Sequence, residues 1–388
     1  MRNPPERSID VESLLLCARS RLDREQSIRL RALLERGPDW RFLLRWAGPH
    51  GILPLLGRNL ESAAPDLVPA AARKFLRERF ELNSHRNLFL TSELLWLLDL
   101  FRAAGLCVVP FKGPVLASSL YGDVALREFC DLDLLVRRRD VPEVRHLLMD
   151  RGYRPQLRLN RREEAAYRRS RCEHGFTSPD GTYRIEVHWD FFPRYFGRGM
   201  EAEGVWRRLR PATFFGRHIN ALAAPDLLIV LCAHGAKHLW ERIEWVCGVS
   251  ELLRAHPDLD WPALWEEADR RGAARMLALG LHLASSCLDA RLPSEAEGRV
   301  AADPVCRVLA RDVDASLFRE GRTRAAGFHR AAFHLKVRER LSDRVRYCLR
   351  LGLTPSIPDW KAIPLPPLLF PLHYVTRPLR LLAKYCLS

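Results

Sequence analysis

The spacing of apolar positions divides the chain into three stretches. Up to about residue 104 it is helical. Asp10 ahead of Ser13-Leu14-Leu15-Leu16 reads as a capped helix start, and Asp39-Trp40-Arg41-Phe42-Leu43-Leu44 opens another. Residues 83–104 predict a long amphipathic helix with Leu88, Leu90, Leu94, Leu95, Leu97, Leu98 and Leu100 on its apolar side and Gly105 as its stop. The period then shortens. Cys107-Val108-Val109-Pro110-Phe111 predicts a strand, 115–122 a helix, 132–136 a strand, 140–151 a helix, and 183–189 a third strand after the turn Pro179-Asp180-Gly181. Such alternation predicts a compact α/β unit. From Pro225-Asp226, with Asp226 as the N-cap, helices return over 226–240, 241–255, 261–271 and 273–290, and 303–350 continues helical. The Pro-rich tail from Thr354 is expected to wrap the body and cover Leu368-Leu369-Phe370.

The expected fold class is therefore α+β, a small mixed sheet flanked by N-terminal helices and a C-terminal helical domain. Its expected divisions are 1–104, a catalytic unit over 105–224, a helical domain over 225–350 and a packed tail over 351–388.

Composition narrows the class. Of 388 residues, 47% are hydrophobic, enough apolar surface to offset the entropy of ordering and so to exclude a disordered chain. No apolar run reaches the length of a membrane span, and the start lacks the apolar core of a secretory signal, so a soluble cytoplasmic protein is expected. The ten Cys are scattered with no Cys-x-x-Cys pair, which fits a reducing compartment without structural zinc. The net charge of +15 would suit nucleic acid. However, six of the 62 basic residues are Lys, and the Arg are spread along the chain among acids rather than gathered on one stripe. A smaller anion, such as a nucleoside triphosphate, is the better match, and nucleic acid is not favoured as the main partner.

The chemistry gathers in Phe111-Lys112-Gly113 and Arg127-Glu128-Phe129-Cys130-Asp131-Leu132-Asp133-Leu134-Leu135-Val136. Two Asp one residue apart on a strand share a face, while Leu132 and Leu134 point into a core. Adjacent carboxylates repel unless a cation lies between them, and hard oxygens suit Mg²⁺ or Mn²⁺. In Arg184-Ile185-Glu186-Val187-His188-Trp189 the same alternation sets Glu186 and His188 opposite Ile185 and Val187. If this strand lies beside 132–136, Glu186 completes three carboxylates able to hold two metal ions. Gly113, between strand and helix, would let backbone N–H groups approach a phosphate. An Asp-x-Asp pair alone is most often two solvated acids. The order of strand, Gly, helix, Arg, Asp-x-Asp strand and later acid-bearing strand gives it weight.

These residues, with Leu116, Ala117, Tyr121 and Arg127, resemble the nucleotidyltransferase superfamily of the DNA polymerase β type. More narrowly, the chain resembles the bacterial uncharacterised nucleotidyltransferase family. Asp39-Trp40, Pro54-Leu55-Leu56, Glu186-Val187-His188-Trp189, His234-Gly235-Ala236-Lys237-His238, Trp245-Val246-Cys247 and Arg377-Pro378-Leu379-Arg380 extend the likeness. The resemblance implies that Gly113 is the phosphate-loop glycine and that Asp131, Asp133 and Glu186 are metal ligands and catalytic acids. It also implies an NTP substrate, release of pyrophosphate and a small-molecule or macromolecular acceptor. Pro114 stands where the superfamily usually has Ser, so a phosphate hydrogen bond would come from Ser118 or Ser119. Lys112 and Lys237, two of the few Lys, and Arg127 are further candidates for the triphosphate. His234 and His238 share a helix face, but no third ligand lies at a zinc-like spacing, and a packed role is expected. Three competing classes are an Asp-x-Asp glycosyltransferase, which would need a longer α/β region before the motif, an inactive binding protein on the same fold, and an RNA-modifying enzyme.

Overall fold

The computed structural model describes residues 8–157, 163–164, 167–168, 171–193, 196, 202–319, 327–355, 359, 362–363 and 365–386. Four short helices open it: α1 (Ile9–Cys17), α2 (Arg24–Glu35), α3 (Trp40–Ala47) and α4 (Leu53–Ala63). Asp39 caps α3 as expected, but α1 is capped by Ser8. Asp10 lies inside the first turn and accepts from the Asp39 backbone N–H at 2.7 Å, tying the two helix starts together.

The long helix α5 (Ala70–Ala103) begins well before residue 83. Its first half is dense in Arg and Glu, good helix formers whose polar faces conceal the period. The buried stripe is Leu90, Leu94, Leu97, Leu98 and Phe101, and Leu88 is exposed because two positions along a helix is half a turn round it.

The chain then builds β1 (Val108–Pro110), α6 (Gly113–Leu116), β2 (Asp131–Val136), α7 (Val141–Asp150), β3 (Arg154–Pro155), β4 (Glu173–Thr177) and β5 (Arg184–His188). The five strands form one mixed sheet in the order β1-β2-β5-β4-β3, with β2 and β5 parallel and the other pairs antiparallel. A short helix, α8 (Glu203–Trp206), and a hairpin, β6 (Arg210–Phe214) with β7 (Arg217–Ala221), lead to the C-terminal helices. These include α9 (Ala224–Lys237), α10 (Ile243–Ala255), α11 (Trp261–Arg271) and α12 (Ala274–Leu288). Next come α13 (Ser294–Ala302), α14 (Pro304–Leu317), α15 (Gly327–Val337), α16 (Leu341–Leu353) and α17 (His373–Cys386).

The Asp226 N-cap expectation is corrected. Ala223 occupies the cap position and Pro225 fits the first turn, where its missing N–H costs nothing. Asp226 instead turns inward, 2.7 Å from Arg208 and 2.5 Å from Arg271. Of the tail residues expected to be covered, Leu369 is 47% exposed, and the side chains of Leu368 and Phe370 lie outside the described residues.

The two sheet faces meet different partners. Leu132, Leu134, Val136, Ile185 and Val187 pack with the α5 stripe and with Val144 and Leu148 of α7. The opposite face, which carries Asp131 and Asp133, looks toward the other core. There α1–α4, α9, α10 and α12 bury their apolar residues together, although the sequence sets the N-terminal and C-terminal helices far apart. The cleft between sheet and helices is thus where the acids point.

Candidate active site

Alternation along β2 turns Asp131 and Asp133 away from the Leu132–Leu134 core, and the parallel register sets Asp133 directly beside Glu186. His188, two residues beyond Glu186, lies on the same face. Ligand atoms of Asp133, Glu186 and His188 lie within 4.8 Å of one another. Asp133 is buried, whereas Glu186 keeps about a third of its side chain open, at 34%. The carboxylates therefore pass from a closed interior toward an accessible edge.

Cations hold the buried end. Lys112 Nζ donates to Asp133 Oδ1 at 3.1 Å, and His188 Nε2 lies 3.1 Å from the same oxygen and 3.4 Å from Glu186 Oε2. His188 Nδ1 faces Glu173 Oε2 of β4 at 3.4 Å. Burial alone would raise the Asp133 carboxyl, but Lys112 and His188 outweigh it and hold it well below the usual carboxylate range. Burial would also lower His188, yet its bonds to Asp133, Cys172 and Glu186 keep the imidazole protonated well above its ordinary range. Asp131 is pushed up to about 6, first by burial and then by repulsion from Asp133 and Glu186.

Gly113 starts α6 at φ +53, and a Cβ there would lie 3.2 Å from the Asp131 carbonyl oxygen. Glycine is required by both the left-handed backbone and the close approach of β2. The turn that delivers β2 is pinned from α5. Asn87 donates to the Val124 and Arg127 carbonyls at 2.6 and 2.7 Å, and Asn83 donates to Ala125 O at 2.8 Å. Arg127 acts on Asp131 as a nearby positive charge, and its buried Nε has no hydrogen-bond partner among the described residues.

The sequence-predicted residues are thus not all in one place. Lys112, Gly113, Arg127, Asp131, Asp133 and Glu186 come together. Ser118 and Ser119 lie on the turn after α6 and line a cavity with Thr213 and Phe214, and neither hydrogen-bonds the acids among the described residues. Lys237, at the end of α9, lines a different cavity and acts on Glu173 as a nearby positive charge. His234 packs edge-on and His238 tilted against Trp245, in cationic surroundings. Burial and then Lys112 drive His234 far down, and burial and then Lys237 take His238 to about 3, so they form a neutral packed pair as expected.

Two participants were not singled out. His188 shares the Glu186 face in the sequence, and its position two after Glu186 was the available signal for a role at the site. Glu173 gave none, because its place depends on the antiparallel pairing of β4 with β5, which sets Glu173 opposite His188.

The donor set fits a divalent cation. Asp131, Asp133, Glu186 and Glu173 set four carboxylates around Lys112 and His188, with Arg127 and Lys237 as further nearby charges, and hard carboxylate oxygens on one sheet face suit such an ion. Among the described residues, Asp133, Glu186 and His188 are the one set of His, Cys, Asp and Glu donors gathered closely enough to hold an ion.

Comparison with known families places this geometry in context. The model of a family described as uncharacterised nucleotidyltransferase matches residues 36–289, which contain every residue of the site. No curated protein matches the chain. No solved structure matches it.

Proposed function

The chain belongs to the uncharacterised nucleotidyltransferase family, and from that premise we propose that it moves a nucleoside monophosphate from an NTP to an acceptor with release of pyrophosphate. The observation that carries this reading is the register pairing of Asp133 with Glu186, two residues beyond Asp131, on the sheet face turned to the helices.

Asp131, Asp133 and Glu186 would hold two Mg²⁺ or Mn²⁺ ions, which when bound polarise the α-phosphate and neutralise charge on the leaving pyrophosphate. The chain's own residues do the rest. Gly113 brings backbone against the triphosphate, and Lys112 and Arg127 offset its charge. The acceptor oxygen forms a bond to the α-phosphorus as the bond from that phosphorus to the bridging oxygen breaks. The acceptor's proton passes to Glu186, which is more open than Asp133. Positioning and charge neutralisation supply most of the acceleration in such a scheme.

A second reading, a nucleotide-binding protein without turnover, draws on one observation: Lys112 and His188 already neutralise Asp133. Incubating the protein with labelled NTPs, Mg²⁺ and a lysate separates the two, with mass spectrometry to find what gains a nucleotide mass. Transfer that falls at least about a hundredfold in Asp133→Asn supports catalysis. Metal-dependent stabilisation by NTP with no labelled product supports the second reading, and unchanged transfer in Asp133→Asn removes the metal scheme.

A further inference from the structure

A cavity of about 330 Å³ opens at the far end of the acid row. Its lining includes five cations from separate parts of the fold: Arg171 ahead of β4, Lys237 at the end of α9, Arg330 of α15, Arg350 of α16 and Arg377 of α17. Among the described residues, no Asp or Glu lines it. Arg330 is answered by Glu241 at 3.6 Å and Arg377 by Asp359, both outside the lining. Among the described residues, Arg171 and Lys237 have no acid within ion-pair distance. Phe196, Tyr347 and Leu351 add apolar walls. A concave site of this volume, apolar on its sides and carrying Arg171 and Lys237 without an acid partner among the described residues, suits a small organic anion. Two such cations on separate elements suit a dianion better than a single carboxylate.

The register places one wall of the cavity. β1 runs antiparallel to β2, so Gly113, which follows β1, comes beside the start of β2 at Asp131. β4 runs antiparallel to β5, so Arg171, just ahead of Glu173, comes beside the end of β5 at His188. Asp133 and Glu186 are register partners between these two ends. A triphosphate on the glycine side and a second molecule in the basic cavity would approach the same carboxylates from opposite directions.

We propose that this cavity binds a phosphorylated small molecule; on the transfer reading given above, and resting on it, that molecule is the acceptor. Its phosphate lies against Arg171 and Lys237, its organic part against Phe196 and Tyr347, and its reacting oxygen faces Glu186.

The test is calorimetric titration of the full chain with phenyl phosphate, without metal or NTP, beside phenol and inorganic phosphate. Saturable binding of phenyl phosphate is expected, with inorganic phosphate weaker and phenol silent. Arg171→Gln and Lys237→Gln, on different elements, should each weaken it about tenfold, and Asp133→Asn should leave it intact. Absent binding, wild-type affinity in both cavity variants, or loss in Asp133→Asn overturns the proposal. Competition by Mg·ATP also overturns it, because the cavity would then hold the triphosphate. If phenyl phosphate binds as expected but Mg·NTP neither stabilises the protein nor labels a product, the transfer reading falls and the anion site stands. If Mg·NTP is turned over and phenyl phosphate does not bind, the reverse holds.

Discussion

Lys112 Nζ lies 3.1 Å from Asp133 Oδ1, both side chains are largely enclosed, and the pair joins the Gly113 turn to the row of acids on β2 and β5. Removing Lys112 leaves the buried Asp133 carboxylate with His188 as its remaining close cation, at 3.1 Å, and breaking one partner of a buried pair is costly. Lys112→Met should therefore lower stability by about 2–4 kcal/mol in metal-free solution. A divalent cation can replace the lost charge, so millimolar Mg²⁺ should restore part of the loss in the variant and do less for the parent. Denaturant titrations with and without Mg²⁺ measure both effects. Equal stability of variant and parent in the absence of metal would show that Asp133 does not depend on Lys112.

The same pair shows how far the sequence reaches. Alternation along Leu132-Asp133-Leu134 and Ile185-Glu186-Val187 is a local property of strands, so the shared face of the acids was legible once the strands were recognised. That Lys112 would close on Asp133, and Glu173 on His188, was not legible, because both contacts depend on which strands become neighbours. Long-range pairing also hid the role of Asp226. A residue that looks like a helix cap from its neighbours alone is drawn inward by Arg208 and by Arg271 from another helix. The start of α5 was missed for a different reason: charged helix formers sustain a helix without showing an apolar period.

Gly113→Ala tests the phosphate-loop assignment through geometry. At φ +53 an alanine is strained, and its Cβ would press on the Asp131 carbonyl at 3.2 Å, a backbone atom with little freedom to yield. A loss of about 1–3 kcal/mol is expected. Thermal stabilisation by Mg·NTP should fall along with it, because the same displacement moves β2. A variant that loses stability but keeps the full NTP-induced shift would place the triphosphate elsewhere.

Stability should also depend on Glu128. Burial first, and then the neighbouring Glu244, raise its carboxyl to about 7, against 4.5 for an ordinary Glu. The folded state therefore holds the proton more tightly than the unfolded chain. The resulting stabilisation is complete below about pH 4.5 and lost as pH rises through about 7. Glu128→Gln should flatten the fall between these limits and raise stability at pH 8 by about 1–3 kcal/mol. Urea titrations at pH 5 and pH 8 measure it. If both proteins lose stability equally between the two values, the pH dependence comes from other groups.

Asn87 offers the sharpest test of how α5 supports the site. It is fully buried, and its Nδ2 donates to the Val124 and Arg127 carbonyls at 2.6 and 2.7 Å, at the turn that leads into β2. Asn87→Ala would leave the buried Val124 carbonyl oxygen without its donor and the Arg127 carbonyl oxygen with Asn83 Nδ2 alone, at 3.4 Å, which costs about 1–3 kcal/mol. Its Oδ1 has no partner among the described residues, so truncation also removes one unsatisfied acceptor, and the lower half of that range is expected. Asn83, half-buried and bonded to the Ala125 carbonyl, should cost less when truncated, because water can take its place. The two variants should also differ in function. Arg127 and Asp131 follow directly from the carbonyls that Asn87 holds, so Asn87→Ala should raise the KM for NTP several-fold more than Asn83→Ala. Denaturant titration and NTP-dependent kinetics on both proteins give the comparison, and equal KM values would show that the turn holds its shape without the α5 anchor.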